Sequence, residues 1–436
     1  MARHESWGRY PVATHQKARV LHWRPNDLRP LLQGSLLPYG LGRSQGDSCL
    51  NENGYLLDTS SLDRFISFDE ATGVLCGEAG VTLKDILDTF VPRGWFLPVV
   101  PGTQFVTLGG AIANDIHGKN HRRAGSFGGH VLRFELLRSD GQRYLCAPTS
   151  NAPLFAATIG GLGLTGLITW AAIQLKPLPT PYLEVTTIPF SNLEEFFSLI
   201  GEYQDSHEYL IGQFDGVVWR RHVRSRGVLM LGNHSQHKVA KHAARGRAIS
   251  IPLIMPNWLL NDYSLKVFNW LYQQRQGRKK KYLAHYQPYF FPLDSLQHWN
   301  RLYGKRGFLQ YQCVVPHEAA TAVMQTMLQV MAAKGLSSYL ASLKTFGESN
   351  SPGLLSFPRP GIVLALDFPF RGIRTLKLLE KFDQLVGNAS GAVYPAKDAR
   401  MSTKSFCTYY PRWQEFSRHV DPNFSSSWWR RVRPLE

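Results

Sequence analysis

Residues 97–129 hold the side chains best suited to chemistry, in the string LPVVPGTQFVTLGGAIANDIHGKNHRRAGSFGG. Its many glycines allow main-chain N–H groups to approach a ligand closely and to form anion-binding turns, such as those that hold a pyrophosphate. His117, Lys119, Asn120 and His121 lie between the apolar runs. A glycine-rich connector in a large β protein is the alternative for this stretch taken alone.

A second glycine-rich loop precedes it at residues 38–51, PYGLGRSQGDSCLN, with glycines closely spaced around Arg43 and Ser44. An anion-binding turn and a plain hairpin loop fit this loop equally well. A third, IGGLGLTG at 159–166, matches the dinucleotide-binding pattern G-x-G-x-x-G. That motif requires a strand before it and a helix after it. Here LITWAAIQL follows and alternates like a strand, so we reject the dinucleotide-binding interpretation.

Composition limits the function classes. The 436 residues predict two domains, possibly interleaved, and the net charge of +17 favours an acidic partner: nucleic acid, an anionic membrane surface or a phosphorylated substrate. Five scattered cysteines without a Cys-x-x-Cys pair argue against disulfides and a metal site and suit a reducing compartment. Neither a signal peptide nor a run of about 20 apolar residues is evident, so we expect a soluble or peripheral protein.

The elements that must position these loops follow an α+β order without βαβ crossovers. Thr82 and Asp85 predict a capping box for a helix that ends at Gly94, and Asp140-Gly141 predicts a hairpin turn. A second capping box, at residues 191–194, predicts a helix through Ile200. Strands are predicted at 308–316 and 361–369, followed by helices at 317–334 and 373–386. The proline-rich segment 176–185 predicts a domain boundary.

Residues 251–282 are rich in tryptophan, leucine, isoleucine and phenylalanine and run into the basic string QQRQGRKKK. Such a segment could lie on anionic lipid through Arg275, Arg278, Lys279, Lys280 and Lys281. A solvated basic loop beside a buried helix is the alternative, and charge runs are usually solvated.

Taken together, six strings carry a family resemblance: PYGLGRSQGD, PGTQFVTLGGAIANDIHGKNHRRAGSFGGHV, GGLGLTG, FLQYQCVVP, LALDFP and YPAKDAR. Over about residues 20–435 the sequence resembles the decaprenylphosphoryl-β-D-ribose 2′-oxidases, FAD-dependent flavoproteins of the vanillyl-alcohol-oxidase (PCMH-type) superfamily. The resemblance implies an α+β fold of two domains. Residues 1–180 would form the main part of the FAD-binding domain, 181–390 an antiparallel-sheet substrate cap, and 391–436 a return segment that completes the FAD domain.

The resemblance also implies the reaction and its surroundings. The 2′-hydroxyl of a polyprenylphosphoryl ribose would be oxidised to a ketone while the flavin takes the hydride. A separate NAD(P)H-dependent short-chain reductase would then complete epimerisation to the arabinose donor for surface glycans. The enzyme would be cytoplasmic and peripherally associated with the inner membrane.

Two residues are expected to carry the chemistry. His117 is the natural proton handler, because the unperturbed pKa of histidine lies near neutrality. Lys397, in YPAKDAR, would lie by the flavin and the substrate hydroxyl, where an ammonium group can hold developing negative charge on oxygen or on the reduced flavin. By residue type alone, a structural histidine and a surface salt-bridge lysine would be the better interpretations, and only the matching strings favour catalysis.

The remaining site residues are carried over from the same strings. Those expected to contact FAD, besides His117 and Lys397, are Tyr39, Gly40, Gly42, Arg43, Ser44, Gly102, Thr103, Gly109, Gly110, Asn114, Gly163 and Thr165. Those expected to line the substrate pocket are Gln45, Lys119, Gln310, Gln312 and Lys344. Gln310 and Gln312 alternate on one strand and so share a face, which could be the pocket or a solvent-facing edge. No metal is expected.

The sequence departs from the family pattern at several positions. Gln45 replaces a tyrosine, Ala365 replaces a cysteine of mycobacterial members, and Phe290 with Phe291 replaces a Tyr-His pair. These changes put the exact lipid and sugar in doubt. Arg43-Ser44 stands where relatives carry the histidine that attaches flavin covalently, so we expect non-covalent FAD.

Two other functions were weighed. An alditol or aldonolactone oxidase of the same fold would act on a soluble sugar alcohol, which would leave segment 251–281 without a role. A nucleic-acid-binding protein would explain the charge of +17. However, no recognised nucleic-acid module is present and the positive charge is dispersed, so we expect no nucleic-acid partner.

Overall fold

The computed structural model describes residues 4–15, 17–29, 34–219, 222–223, 225–236, 249–256 and 280–434. The strands in chain order are β1 (Lys17–Val20), β2 (Leu36–Tyr39), β3 (Tyr55–Asp58), β4 (Phe65–Asp69), β5 (Val74–Glu78), β6 (Trp95–Phe96), β7 (Val131–Leu137), β8 (Arg143–Cys146), β9 (Leu167–Gln174), β10 (Lys176–Pro177), β11 (Tyr182–Phe190), β12 (Tyr209–Phe214), β13 (Val218–Trp219), β14 (His222–Val223), β15 (Gly227–His234), β16 (Ile249–Ser250), β17 (Lys280–His285), β18 (Leu296–Gln297), β19 (Phe308–Val315), β20 (Ala341–Phe346), β21 (Gly361–Pro369) and β22 (Ala392–Val393).

Helices lie between these strands and after the last of them. They are α1 (Leu83–Phe90), α2 (Leu108–Ala113), α3 (His121–Ala124), α4 (Ala152–Thr158), α5 (Leu193–Tyr203), α6 (Tyr286–Phe290), α7 (His317–Lys334), α8 (Ile373–Asn388), α9 (Thr403–Tyr409), α10 (Trp413–Ser417) and α11 (Ser427–Val432). The fold is of the α+β class, as the sequence predicts, because helices combine with largely antiparallel sheets.

The described residues of the N-terminal part form two larger sheets, besides the short antiparallel pair β6–β10. One is parallel, in the order β1-β3-β2, and the other is antiparallel, in the order β4-β5-β9-β7-β8. The predicted capping box is present at α1, where the Thr82 hydroxyl accepts from the Asp85 N–H and the Asp85 carboxylate accepts from the Thr82 N–H. Gly94 follows in the left-handed region at φ +82°, and Gly141 turns the β7–β8 hairpin at φ +83°.

The third glycine loop connects a helix to a strand. It lies between α4 and β9, which is the reverse of the order that the dinucleotide-binding motif requires. The structure therefore supports the rejection of that interpretation. Its neighbour β9 occupies the middle of the five-stranded sheet, paired with β5 on one side and β7 on the other.

The larger part of the chain forms an eight-stranded antiparallel sheet in the order β17-β11-β15-β12-β20-β21-β19-β22. Helices α5, α7 and α8 pack on one face of this sheet and share its hydrophobic core. Tyr311 of β19, for example, contacts the ring of Phe382 in α8, with the ring centroids 5.3 Å apart. The sheet is thus covered by helices on one side. On its other side, Leu183, Val185 and Tyr209 pack into the N-terminal core, and residues of β19, β20 and β21 line a cavity.

One predicted helix start is wrong by a residue. Asn192, and not Ser191, caps α5, because its side-chain oxygen accepts from the Glu195 N–H at 2.8 Å. The Glu195 carboxylate in turn accepts from the Ser191 N–H. An asparagine caps as well as a serine, so the local sequence favoured neither of these adjacent positions.

The C-terminal segment returns to the N-terminal loops. Phe424 forms a β-bridge with Leu36, and the Ser425 N–H donates to the Leu36 carbonyl at 2.9 Å. β22 joins the edge of the large sheet, so the segment from about residue 391 touches both parts. The division of the chain at residues 180 and 390 remains a prediction.

Arg431 of α11 holds this return segment through two buried carboxylates. Its guanidinium bonds both oxygens of Asp47, at 2.6 and 3.0 Å, and one oxygen of Asp398 at 2.9 Å. Asp398 also accepts from the Trp428 indole N–H at 3.2 Å. The C-terminal helix therefore fixes the turn that carries Lys397.

We predict that Arg431→Met lowers the free energy of unfolding by about 3 kcal/mol, because it removes the cation that is hydrogen-bonded to the buried carboxylates of Asp47 and Asp398. Urea denaturation of the purified protein measures this change. Arg433→Met is the matched control: Arg433 is exposed, and its substitution should change stability by about 0.5 kcal/mol or less. A loss of less than about 1 kcal/mol for Arg431→Met would contradict the role given to Arg431.

Candidate active site

A cavity of about 480 Å³ lies between the glycine loops and the face of the eight-stranded sheet opposite α5, α7 and α8. This volume is within the range of about 300–1,000 Å³ that is usual for small-molecule sites. Most of the residues predicted for the site line this cavity: Gly40, Gly42, Arg43, Ser44, Gln45, Gly102, Thr103, Gly109, Gly110, Asn114, His117, Lys119, Gly163, Gln310, Gln312, Lys344 and Lys397.

Tyr39 and Thr165 are not among the residues that line the cavity, and their contact with FAD remains a prediction. The Tyr39 hydroxyl donates to the Glu5 carbonyl at 2.7 Å. Thr165 is fully buried, and its hydroxyl is hydrogen-bonded to that of Thr158 at 2.9 Å. Both side-chain hydroxyls are therefore satisfied within the protein.

The glycine loops approach the cavity through their backbones. Gly42 has φ +60°, in the left-handed region that favours glycine, and an added Cβ would lie 2.2 Å from the Tyr39 hydroxyl. At Gly102 an added Cβ would meet no protein atom within 4 Å. The absence of a side chain at Gly102 leaves open space inside the cavity, and protein packing gives no reason for it.

Arg43 lies in the cavity wall beside the N-terminal residue Trp7. Its guanidinium donates to the Phe105 carbonyl at 3.0 Å and stacks over the Trp7 ring, 4.1 Å from the centroid. Burial lowers the pKa of Arg43 from its usual value. Asp294, which accepts from the Gln104 N–H at 2.9 Å, lines the cavity nearby. Trp7 and Asp294 stand in no glycine-rich string, so the sequence gives no signal for either residue.

His117 is 7% exposed and is enclosed by the rings of Phe346, Phe357 and Tyr394. Its Nε2 lies 2.6 Å from the amide nitrogen of Gln312. Because an amide nitrogen only donates, Nε2 must accept, and the ring proton then belongs on Nδ1. That Nδ1 is buried and has no hydrogen-bond partner.

Burial, with the nearby Lys344, His121 and Lys397, lowers the pKa of His117 well below its usual value. The imidazole is therefore neutral at neutral pH. Desolvation disfavours the charged ring, so the pKa of His117 lies well below that of an unperturbed histidine. His117 instead presents an N–H donor to a ligand in the cavity.

Three lysines line the same region, and desolvation lowers the pKa of each. The pKa falls to about 7 for Lys119, about 8 for Lys344 and about 8 for Lys397. Lys119 donates to the Tyr289 carbonyl and lies 4.2 Å from the centroid of the Tyr289 ring. In the described part of the chain, neither Lys344 nor Lys397 has a carboxylate oxygen within ion-pair distance. These amines are available to an anionic ligand.

Gln310 and Gln312 both face the cavity, which decides between the two predicted alternatives for this face. Their strand, β19, lies between β21 and β22, so neither glutamine stands at a solvent-facing edge. Ala365 of β21 lies opposite Gln312 and also lines the cavity. Its small side chain leaves room beside the glutamine.

Asp367 is a cavity residue that the sequence analysis did not select. It lies opposite Gln310 in the β19–β21 pair, and its Oδ1 accepts from the Gln310 amide. Its signal was present in the sequence, because a charged residue interrupts the otherwise apolar strand GIVLALDFP. Such a residue in a buried strand calls for a partner or a ligand.

Gln45 connects the second glycine loop to the turn of Lys397. The Gln45 N–H donates to the Ala396 carbonyl at 2.9 Å. The next residue, Gly46, packs against the same turn, since an added Cβ would lie 1.5 Å from the Asp398 carbonyl oxygen. The Gln45 side-chain oxygen is buried without a partner. It lines the cavity and can accept a hydrogen bond from a ligand.

The findings on metal clusters and membrane-spanning helices concern only the described residues. They contain no cluster of three or more His, Cys, Asp or Glu that could hold a metal ion. None of their helices combines the length and apolar character needed to cross a bilayer. Of the basic segment, Arg275, Arg278 and Lys279 lie outside the described residues, as does most of 251–281, whereas Lys280 and Lys281 are exposed in β17.

Comparison with known proteins identifies relatives of this chain. Residues 33–147 match the family model described as FAD binding domain. Decaprenylphosphoryl-beta-D-ribose oxidase of Mycolicibacterium smegmatis is 36% identical over 411 residues, which cover 91% of this chain and 88% of that protein. The Streptomyces coelicolor protein named "Uncharacterized protein in mprA 5'region" is 31% identical over 81% of this chain and all of its own length. L-gulonolactone oxidase of Mus musculus is 26% identical over 39% of this chain and 38% of its own length.

The cavity fits FAD. The matched residues include the first two glycine loops, whose backbones face the open space at Gly102. Buried polar atoms of Gln45, Ser48 and His117 line the cavity without a protein partner, which is costly unless a ligand satisfies them. Among the described histidines, His117 alone lines the cavity.

We predict that Gly102→Leu leaves folding intact and weakens FAD binding at least about tenfold, since the new side chain enters cavity space and no protein contact opposes it. Titration of the apoprotein with FAD, followed by flavin fluorescence, measures the affinity. Gly129→Leu is the matched control, because an added Cβ there also meets nothing within 4 Å while Gly129 lies outside the cavity lining. Equal FAD affinity for the two variants would contradict the placement of the cofactor.

Proposed function

This chain belongs to the decaprenylphosphoryl-beta-D-ribose oxidase family of FAD-dependent oxidoreductases, and on this premise we propose that it oxidises the 2′-hydroxyl of a polyprenylphosphoryl-β-D-ribose to the ketone. The observation that carries the proposal is the composition of the cavity. Glycine-lined backbone forms one wall, and lysines, glutamines and a carboxylate form the other. Such a cavity can hold a flavin beside a sugar with an anionic group.

Bound FAD supplies the hydride acceptor for this reaction. Gly40, Gly42 and Gly102 would hold the cofactor mainly through main-chain N–H groups. The Nδ1–H of His117 would donate to an acceptor atom of the cofactor or the substrate. Because the cofactor is held by hydrogen bonds and packing, we expect it to dissociate on unfolding of the protein.

Lys397 would contribute to the reaction electrostatically. Its ammonium group, next to the cavity, would stabilise the negative charge that develops as the alcohol is oxidised. Gln312 orients His117 through their hydrogen bond, and Gln310 faces the same space. Lys119 and Lys344 would attract the substrate phosphate, because neither amine is neutralised by a carboxylate within the described residues.

The product and the substrate of the proposed reaction indicate a partner enzyme and a location. A 2′-keto sugar must be reduced to give the arabinose epimer, so a separate NAD(P)H-dependent reductase is the expected partner. A polyprenyl substrate lies in a membrane, and the enzyme would reach it as a peripheral protein on the cytoplasmic side of the inner membrane. Exposed Leu253 and Ile254, together with Lys280 and Lys281, are the described parts of the segment that would contact lipid.

The proposal is tested by anaerobic mixing of the holoenzyme with candidate alcohols. Polyprenylphosphoryl ribose should bleach the flavin absorption within the turnover time, and soluble alditols should not. Bleaching by alditols alone would favour the alditol-oxidase alternative instead. Bleaching by neither would refute both.

We predict that Lys397→Ala retains FAD and lowers the rate of flavin bleaching by about 10²–10³-fold, as is typical when a group that stabilises developing charge is removed. Stopped-flow absorbance measures the rate, and the absorption of the purified variant measures FAD content. Lys404→Ala, on the surface of α9, is the control and should bleach like the wild type. Unchanged bleaching in Lys397→Ala would remove this lysine from the mechanism.

A second prediction concerns lipid contact. Replacing Arg278, Lys279, Lys280 and Lys281 by alanine should weaken binding to anionic vesicles roughly fivefold per charge, since each contributes about 1 kcal/mol near such a surface. Vesicle sedimentation at low and high salt measures the effect, which should disappear as salt screens the charges. Binding that is unaltered by the substitutions would assign the run to a solvated loop.

A further inference from the structure

One carboxylate oxygen of Asp367 accepts a hydrogen bond within the protein, and the other has no hydrogen-bond partner. Asp367 is 1% exposed and lines the cavity. Its Oδ1 accepts from the Gln310 amide at 2.5 Å, and its N–H donates to the Ser338 hydroxyl at 3.0 Å and to the Leu340 carbonyl at 3.1 Å. Its Oδ2 is buried and has no hydrogen-bond partner. A buried carboxylate oxygen without a donor is costly, so the site is built for a donor that a ligand supplies.

The groups around Asp367 come from several segments of the chain. Lys397 faces it from the turn after β22 and Lys344 lies on the neighbouring strand β20, while Gln310 stands opposite on β19. The rings of Tyr303 and Tyr339 contact each other with centroids 5.3 Å apart, and the nearby Asp367 charge adds to the burial that raises the pKa of Tyr303. Two amines and one carboxylate thus share the sheet side of the cavity.

Other candidates for a base are less suitable. His117 accepts from Gln312 at Nε2, so its remaining nitrogen carries a proton and donates. Lys397 is largely protonated at neutral pH and also donates. Among the described residues, two more carboxylates line the cavity. Asp294 accepts from the Gln104 N–H beside Arg43, and Asp215 accepts from the Val217 N–H at 3.0 Å.

We propose that Asp367 is the catalytic base of this enzyme and that its Oδ2 receives the proton of the substrate hydroxyl. The inference rests on the proposed oxidation of an alcohol. In that step the substrate O–H bond breaks and its proton forms a new O–H bond on Oδ2. The C–H bond on the same carbon breaks with its electron pair, which passes as hydride to the bound FAD. The alcohol carbon is oxidised to a carbonyl, and FAD is reduced.

The pH dependence follows from this assignment. Burial raises the pKa of Asp367 to about 7, against the opposing effects of Gln310 and Lys397, so the basic form accumulates as pH rises through about 7. Lys397 loses its charge as pH rises through its pKa of about 8. The rate of flavin reduction should therefore increase as pH rises through about 7 and decrease as pH rises through about 8. The pH–rate profile should be bell-shaped with a narrow maximum.

The test compares Asp367→Asn and Asp367→Glu with the wild type. We expect Asp367→Asn to retain FAD, because its side-chain carbonyl can still accept from Gln310. Its rate of anaerobic bleaching should fall by about 10²–10⁴-fold, and the acidic limb of the pH profile should disappear. Asp367→Glu should recover part of the rate together with an acidic limb. Asp88→Asn, on α1 away from the cavity, is the control and should keep the wild-type profile.

A measurement without substrate tests the same group. Infrared difference spectra of the oxidised holoenzyme, between about pH 6 and pH 8, should show a protonated carboxyl band in the wild type that is absent in Asp367→Asn. Persistence of that band in the variant, or an acidic limb and a rate within about tenfold of wild type, would overturn the proposal.

Failure of the proposed substrate gives a different result. If polyprenylphosphoryl ribose does not bleach the wild-type flavin but a soluble alditol does, the substrate is wrong and Asp367 is judged with the alditol. If the wild type is bleached and Asp367→Asn behaves like it, the substrate stands and Asp367 is not the base.

Discussion

The alternation of side chains along the antiparallel pair β19 and β21 decides which groups reach the cavity. Tyr311 and Cys313 pack into the core under the helices, while Gln310, Gln312 and Asp367 face the opposite side. Because the period of a strand is two residues, a slip of one position would place the glutamines in the core and a tyrosine in the cavity. The helices α7 and α8 prevent that slip, since they bury the apolar face. The chemistry of the cavity thus depends on the packing behind it.

A second constraint acts from the C-terminus. The turn that carries Lys397 is held by Asp398, whose carboxylate is bonded by Arg431 and Trp428 of the last helix. The same arginine bonds Asp47, next to the loop that carries Gln45 and Gly46. One guanidinium therefore couples the lysine turn to the second glycine loop. Residues almost 400 positions apart in the sequence meet here and fix the distance between the lysine and the cofactor side of the cavity.

Electrostatics in the cavity are unusual for a strongly basic protein. Lysines are normally solvated at the surface, yet Lys119, Lys344 and Lys397 stand in a desolvated wall that also holds Asp367. Desolvation lowers the pKa values of the amines and raises the pKa of the carboxyl group. The pKa values of both kinds of group therefore approach neutral pH. A site with this balance can bind an anion and still transfer protons near physiological pH. The glycine loops form the opposite wall of the same cavity.

The amino-acid sequence by itself determined the class of fold, the order of the elements and the strings that identify the family. These features are local: the capping box of Thr82 and Asp85, the turn at Asp140-Gly141 and the alternation of Gln310 with Gln312 each depend on neighbouring residues. The cap of α5 shows the limit of local patterns, because Ser191 and Asn192 are equally good candidates until tertiary contacts choose one.

The tertiary structure alone decided the protonation and the partners of the site residues. Sequence could not show that the hydroxyls of Tyr39 and Thr165 bond within the protein, that Gln312 orients the ring of His117, or that Asp367 stands beside Lys397 with a free oxygen. A pKa depends on desolvation and on charges within a few ångströms, and these are contributed by segments far apart in the chain. For this reason the residues of the site could be named from their strings, whereas the roles of His117 and Asp367 required the folded molecule.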